Sequence, residues 1–351
     1  MSDRIPAKAE RAESAVAVVH GGNLHEAAGR YGIAYEAWLD LSTGINPHGY
    51  PVPPVPADAW RRLPDDGDGF AACAARYYGA PDAAHVLPVA GSQAAIRTLP
   101  SLLPAGRVGI APLTYSEYAP AFERAGHETT PLDVSMQRLP EALTHVVIVN
   151  PNNPTAEHLG AAKLLQWHAQ LSARGGSLLV DEAFADAAVD ASANGSLAAS
   201  VERAGLVVLR SPGKFFGLAG VRAGFVLAEP GLLAALRGML GAWTVGGPAR
   251  HAVTAAFADE PWQRQTRARL ATDSARLVTL LRAHGFATRS TALFAWTDDA
   301  RAAALHEALA RQGVWTRLFA ATGSVRFGLP AHAHEWTRFE QALSEAVRAI
   351  R

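Results

Sequence analysis

A chain of 351 residues is too long for one small domain and fits two, or one large domain with a smaller companion. Hydrophobic residues make up 49% and charged residues 18%, a composition that builds a core and excludes a disordered chain. Acidic and basic residues balance at 32 each, for a formal net charge of zero, which argues against bulk affinity for nucleic acid or an anionic membrane. Cys73 is the one cysteine, so an intramolecular disulfide and a Cys-based zinc site are both ruled out. No apolar run approaches the roughly 18 residues of a membrane helix. The opening MSDRIPAKAERAES lacks an apolar core, so no secretory signal is expected and the expected location is cytoplasmic.

Residues 1–60 show little regular pattern and are rich in Gly and Pro from Gly44 to Pro56. They are expected to form an arm and part of a smaller unit. Next come a helix over Gln93–Leu103, a strand over Val108–Ala111, a helix over Ser116–Ala125 and a strand over Val146–Asn150. A helix over Leu159–Ala173 and strands over Leu178–Asp181, Leu206–Arg210 and Val221–Leu227 follow, then a helix over Gly231–Leu240. The strands are continuous apolar runs (VVIV, SLLV, LVVL), as in a largely parallel sheet covered on both faces. Alternation of strand and helix marks an open α/β sheet, with ligands expected at the strand C-terminal ends. The last part changes character. A long helix over Arg264–Ala283 precedes an apolar run at Leu293–Trp296, a helix over Ala300–Arg311, short strands at Val314–Arg317 and Ser324–Phe327, and a terminal helix over His332–Ile350. The expected division is 1–60 as arm and part of the small domain, 61–260 as a large α/β domain, and 261–351 as a small α+β domain.

Lysine is scarce: the chain holds Lys8, Lys163 and Lys214. Lys214, in Ser211-Pro212-Gly213-Lys214 after the strand Leu206–Arg210, offers an amine that can form a Schiff base, which Arg cannot. A surface lysine is the plainer reading of that residue alone. Arg222 lies among small residues in Gly217-Leu218-Ala219-Gly220-Val221-Arg222-Ala223-Gly224, where a guanidinium can grip a phosphate bidentately. Gly91-Ser92-Gln93 opens a helix and offers N–H groups to an anion; ordinary capping explains it equally. Asn153 follows the strand VVIVN between two prolines, in what is otherwise a plain turn. Asp181 ends the strand SLLV, and a carboxylate buried there needs a partner, such as a protonated pyridine, unless it only caps the next turn.

Taken in order, the Gly-Ser turn, Tyr115, Asn153, Asp181, Ser211, Lys214 and Arg222 resemble the fold type I, aspartate-aminotransferase-like family of pyridoxal-phosphate enzymes. The likeness spans about the whole chain. It implies a large domain with a mostly parallel mixed sheet between helices and a smaller α+β domain. It implies pyridoxal 5′-phosphate as cofactor, with Lys214 as the Schiff-base amine and Asp181 on the ring nitrogen, so that the ring becomes an electron sink. Asn153 would bond the ring hydroxyl oxygen and Tyr115 would stack on the ring. Gly91, Ser92, Gln93, Ser211 and Arg222 would hold the phosphate. It implies no metal.

His20-Gly21-Gly22-Asn23 and Leu41-Ser42-Thr43-Gly44-Ile45-Asn46-Pro47 resemble the branch that holds histidinol-phosphate aminotransferases and the threonine-phosphate decarboxylases of cobalamin synthesis, the second more closely. The resemblance implies a homodimer that acts on a phosphorylated amino acid. Arg326 matches the family's substrate-anion arginine and Arg317 a second one nearby, so a substrate with carboxylate and phosphate would engage both. The backbone of Gly44, Ile45 and Asn46 would add donors, and His20 would sit by the substrate phosphate. Surface strand positions and a surface arm histidine are the alternatives. Three departures stand out: Phe184 where many relatives carry Tyr, Leu63 in Leu63-Pro64-Asp65 where many carry Tyr, and Ala156 where Gly often stands. The bond perpendicular to the cofactor ring is the one that breaks. Loss of the carboxylate gives a decarboxylase, and loss of the α-proton gives an aminotransferase of histidinol phosphate or an aromatic amino acid. A pyridoxal-phosphate-binding regulator would need a DNA-binding module, and none is expected ahead of His20.

Overall fold

The computed structural model describes residues 21–188 and 195–350. Among them, seven strands form the main sheet, in the order Glu128–Pro131, Arg107–Ile110, His145–Val149, Ser177–Asp181, Leu206–Arg210, Gly224–Leu227, Val86–Val89. The first five run parallel, and Gly224–Leu227 pairs antiparallel with both neighbours. The three central strands are buried along their whole length because each face packs on its own core. Val146, Ile148, Leu178, Val180 and Val208 face Leu164 and Trp167 on one side. Val147, Val149, Leu179, Val207 and Leu209 face Phe122 and Leu99 on the other. This is the two-residue alternation of a strand covered on both faces, and each such side chain contributes about 1.5–3 kcal/mol by leaving water.

Several expected elements are shorter than their sequence pattern: the strand over Val314–Arg317 divides into Val314–Trp315 and Arg317–Phe319, which join different sheets, and two others have a local cause. The helix over Gln93–Leu103 is α-helical at Ser92–Thr98 and tightens to a 3-10 turn at Leu99–Leu102, because Pro100 has no N–H to continue the ladder. The strand over Val221–Leu227 begins at Gly224, since Ala219–Val221 is a 3-10 turn and Arg222 takes a left-handed conformation, φ 53°. Helices at Leu24–Tyr31, Ala57–Arg61, Phe70–Tyr78 and Gly247–Ala258 were not expected, nor were strands at Leu39–Asp40, Val86–Val89, Glu128–Pro131 and Thr288–Ser290. Pro88 lies within Val86–Val89 and interrupts its apolar run; the strand holds because it is an edge strand.

Beyond the 24-residue helix Glu260–Ala283, a four-stranded antiparallel sheet runs in the order Arg317–Phe319, Ser324–Gly328, Phe294–Asp298, Thr288–Ser290. Leu39–Asp40 pairs in parallel with Val314–Trp315. From there the chain crosses to the main sheet. Gly328 N–H donates to the Leu41 carbonyl at 2.7 Å, Asn46 N–H to the Lys214 carbonyl at 2.9 Å, and Tyr50 N–H to the Phe216 carbonyl at 2.8 Å. This strap sets the small sheet beside the end of the strand Leu206–Arg210. No helix among the described residues is long and apolar enough to cross a membrane.

Candidate active site

Asp181 ends the strand Ser177–Asp181, Asn153 follows His145–Val149, and Ser211 and Lys214 follow Leu206–Arg210. These strands are adjacent, so their C-terminal ends meet at one pocket. Lys214 sits in a single helical turn, Pro212–Phe215, and not in an open loop; Pro212 at the first position suits that turn, since its missing N–H has no helical partner to lose. Burial lowers the Lys214 pKa to about 8, with Arg326 and Arg222 adding to the effect and Asp181 opposing it. An amine so held is more readily deprotonated than an exposed one, as a nucleophile requires.

Asp181 is 4% exposed. Burial pushes its pKa up, against the Tyr118 hydroxyl, the Ala183 N–H and the Lys214 charge, which pull it down. Tyr118 donates to Oδ2 at 2.7 Å and Ala183 N–H to Oδ1 at 3.0 Å. Asn153 is held by its neighbours. The Asn150 amide exchanges two bonds with the Leu159 backbone at 2.9 and 2.8 Å, and the Asn152 amide donates to the Leu113 carbonyl at 2.9 Å. Arg326 donates to Asn153 Oδ1 and to the Ser42 carbonyl.

At the other end of the pocket, a Cβ on Gly91 would lie 2.8 Å from Arg222, and one on Gly224 would lie 2.5 Å from Ser92 N. Glycine at both positions therefore lets the turn before Ser92, the start of Gly224–Leu227 and Arg222 close together. The Ser211 hydroxyl donates to Ser92 Oγ at 2.9 Å. Gln93 Oε1 accepts from the Tyr115 hydroxyl at 3.0 Å, so this side chain fixes the tyrosine ring.

A second cleft shares Tyr115, Asn153, Phe184 and Lys214 with the first and extends to Gly44, Ile45, Arg317 and Arg326. Arg317 and Arg326 are direct cross-strand partners, an arrangement in which like charges repel unless an anion joins them. Arg326 is 6% exposed; burial and Arg317 depress its pKa to about 10. Its Nε has no hydrogen-bond partner among the described residues. Asn46 departs from expectation: its N–H and its side-chain NH₂ donate to the Lys214 and Phe215 carbonyls, and its Oδ1 accepts from His48 N–H. It tethers the strap and does not line the cleft. His20 lies outside the described residues, although the adjacent Gly21 lines the cleft.

Residues 66–340 match the aminotransferase class I and II family. The chain belongs to that family. It is 50% identical over 326 residues to the threonine-phosphate decarboxylase of Pseudomonas aeruginosa, covering 92% of this chain and 96% of the relative. It is 41% identical over 342 residues to the threonine-phosphate decarboxylase of a Sinorhizobium species, covering 93% and 98%. A solved histidinol-phosphate aminotransferase from Sinorhizobium meliloti, in complex with pyridoxal-5′-phosphate, superposes at TM-score 0.76 with 18% identity, over 93% of this chain and 95% of that one. The fold is thus the fold type I, aspartate-aminotransferase-like architecture expected from the sequence.

Sequence reasoning passed over several lining residues of this family member. Thr114, Ser116 and Phe319 border the second cleft; the first two flank Tyr115, which was the available signal. Phe184 packs edge-on to Phe294 with centroids 5.2 Å apart, and the Lys214 Nζ lies 5.7 Å from the Phe184 ring centroid. A Cβ on Gly44 would meet these two rings at 2.9 and 3.0 Å. Leu63 lies outside both clefts and is exposed. No cluster of His, Cys, Asp and Glu among the described residues is arranged to hold a metal ion.

Proposed function

We propose that the chain is a pyridoxal 5′-phosphate-dependent carboxy-lyase that converts L-threonine O-3-phosphate to (R)-1-amino-2-propanol O-2-phosphate and carbon dioxide in cobalamin biosynthesis. The observation that carries this reading is the pair of guanidinium groups, Arg317 and Arg326, registered opposite each other in a cleft that also holds Lys214. A substrate with a carboxylate and a phosphate supplies an anion for each. The 50% identity to a threonine-phosphate decarboxylase along 92% of the chain supports it.

The cofactor fits the donors present. The buried amine of Lys214 suits an aldehyde, the strand-end carboxylate of Asp181 suits a ring nitrogen, and the Asn153 amide suits a ring oxygen. The glycine-lined cradle of Ser92, Ser211 and Arg222 suits a phosphate, and Tyr115, fixed by Gln93, offers a ring face. Bound there, pyridoxal phosphate supplies the electron sink for the pair released as carbon dioxide leaves.

The chain's own residues do the rest. Asp181 keeps the ring nitrogen protonated. Arg317 and Arg326 grip the two substrate anions, and Gly44 and Ile45 border that grip; its angle selects the bond that breaks. Phe184 and Phe294 form an apolar wall beside Lys214 that keeps water away. Lys214, as its ammonium, would donate the proton that replaces carbon dioxide on Cα. The protein works in the cytoplasm as a homodimer, with 61–260 as the large domain and 261–351, with part of 1–60, as the small one. Trp60 and Leu63, 69% and 67% exposed, are the apolar surface that a second copy covers.

Incubating the cofactor-loaded protein with L-threonine O-3-phosphate, without keto acid, and identifying the product by phosphorus NMR and mass spectrometry tests the reading. The aminopropanol phosphate is expected. A phosphorylated keto acid, formed with pyridoxamine phosphate, would overturn it in favour of an aminotransferase.

A further inference from the structure

We propose that Tyr118 is a positioning residue for the reaction, its hydroxyl aiming the Asp181 carboxylate into the cofactor pocket. This rests on the pyridoxal-phosphate reading of that pocket and adds to it a residue behind the pocket wall.

Tyr118 is fully buried and opens the helix Tyr118–Arg124, whose Ala121 and Phe122 pack on the same core. A tyrosine hydroxyl buried at such a place needs a partner, and it finds Asp181 Oδ2 at 2.7 Å. The other carboxylate oxygen takes the Ala183 N–H at 3.0 Å. With one donor on each oxygen, the carboxylate cannot swing about its terminal torsion without breaking a buried bond. Each oxygen still has a lone pair to offer, so the clamp fixes direction without using up the capacity to accept from a ring N–H.

The two tyrosines divide the work. Tyr115 lines the pocket and is set by Gln93. Tyr118, three residues on, meets the Tyr115 ring edge-on with centroids 6.2 Å apart and does not line either cleft. Burial and the Asp181 charge push the Tyr118 pKa well above its ordinary value, so the hydroxyl keeps its proton and remains a donor. Its bond in turn opposes the upward push that burial exerts on Asp181.

The test is a double-mutant cycle on cofactor affinity, read by titrating pyridoxal phosphate into cofactor-free protein. Tyr118→Phe keeps the ring and removes the donor. A hydrogen bond to a charged group is worth enough to shift affinity by roughly ten-fold, so Tyr118→Phe is expected to weaken pyridoxal phosphate by about that factor. In an Asp181→Asn background the same change is expected to add no more than about two-fold, because the carboxylate it aims is gone. A loss under about two-fold in the native background, or an equal loss in both, overturns the proposal and leaves Tyr118 a packing residue. If Tyr118→Phe does not fold, 3-fluorotyrosine at position 118 keeps ring and bond and strengthens the donor. It should tighten cofactor binding with Asp181 and not with Asn there, and unchanged binding overturns the proposal. Failure of the native chain to bind pyridoxal phosphate sinks the cofactor reading itself, and this inference with it.

Discussion

Lys214 has its pKa lowered from 10.5 to about 8, first by burial and then by Arg326 and Arg222. Below pH 8 the lysine is protonated in both folded and unfolded chains, and the folded state bears the whole cost of burying the charge, up to about 3 kcal/mol. Between pH 8 and 10.5 the unfolded chain holds more protons, so this contribution to stability rises with pH through that window. Lys214→Met should therefore stabilise the cofactor-free protein near neutral pH, with a gain that fades toward pH 10.5, as followed by urea unfolding across pH. A gain that does not change with pH would mean that the amine is solvated. Ala156 gives a second case. Its φ of 58° is one that glycine adopts freely and alanine only at a cost, so Ala156→Gly should stabilise the chain by roughly 0.5–1 kcal/mol in thermal unfolding. That alanine stands there was legible in the sequence; that the position is left-handed was not, because Asn and Pro turns admit several backbone shapes. For Arg317, the expected effect of Arg317→Gln is a KM for L-threonine O-3-phosphate raised about ten-fold or more. Steady-state kinetics should show kcat lowered as well, because the grip sets the angle of the bond that breaks, with cofactor affinity little changed, because Arg317 lies outside the cofactor pocket.

At the scale of elements, the ends of two central strands are clamped from behind the site. Arg210 ends Leu206–Arg210, and its guanidinium bonds both Glu182, just after Ser177–Asp181, and Asp186 in the next turn. All three are buried, and the guanidinium lies 4.4 Å from the Tyr78 ring centroid. Strand alternation sends Asp181 and Ser211, their chain neighbours, to the pocket side. Removing the guanidinium leaves two buried carboxylates without the cation that joins them, although Ser196 and the Leu197 N–H still donate to Glu182 and Arg267 still faces Asp186, so Arg210→Met should cost about 3 kcal/mol in urea unfolding. The triple change to apolar residues should cost less than the single one. A single variant as stable as the native chain would show that water already reaches the triad. Nothing in the sequence joins Arg210 to Glu182, 28 residues away, because the contact exists only once two parallel strands lie side by side. The strands themselves were legible, since burial on both faces makes them uninterrupted apolar runs. The edge strand Val86–Val89 was not, because Pro88 interrupts its run, and the helix Phe70–Tyr78 was not, because a general Ala bias raises helix propensity along the whole chain and marks no one segment.

Across the whole molecule, the site forms where two sheets meet. The main sheet brings Asn153, Asp181, Ser211 and Lys214 together, the small sheet brings Arg317 and Arg326, and the strap from Leu41 to Tyr50 joins them through backbone bonds to Gly328, Lys214 and Phe216. The order of motifs in the sequence resembled this family, so the residues of both sheets could be named in advance. How they meet could not: Asn46 looked like a substrate donor and is the tether instead, and Tyr118 gave no signal at all. Sedimentation velocity should show a dimer for the native chain, and Trp60→Asp combined with Leu63→Asp should shift it to monomer. A variant that stays dimeric would place the interface elsewhere.

The central claim is decarboxylation, and counting carbon dioxide tests it most directly. Cofactor-loaded protein given L-threonine O-3-phosphate and no keto acid should release many equivalents of carbon dioxide per chain while the bound cofactor keeps its lysine-linked absorbance. One equivalent or less of turnover to pyridoxamine phosphate, with no carbon dioxide, would contradict it.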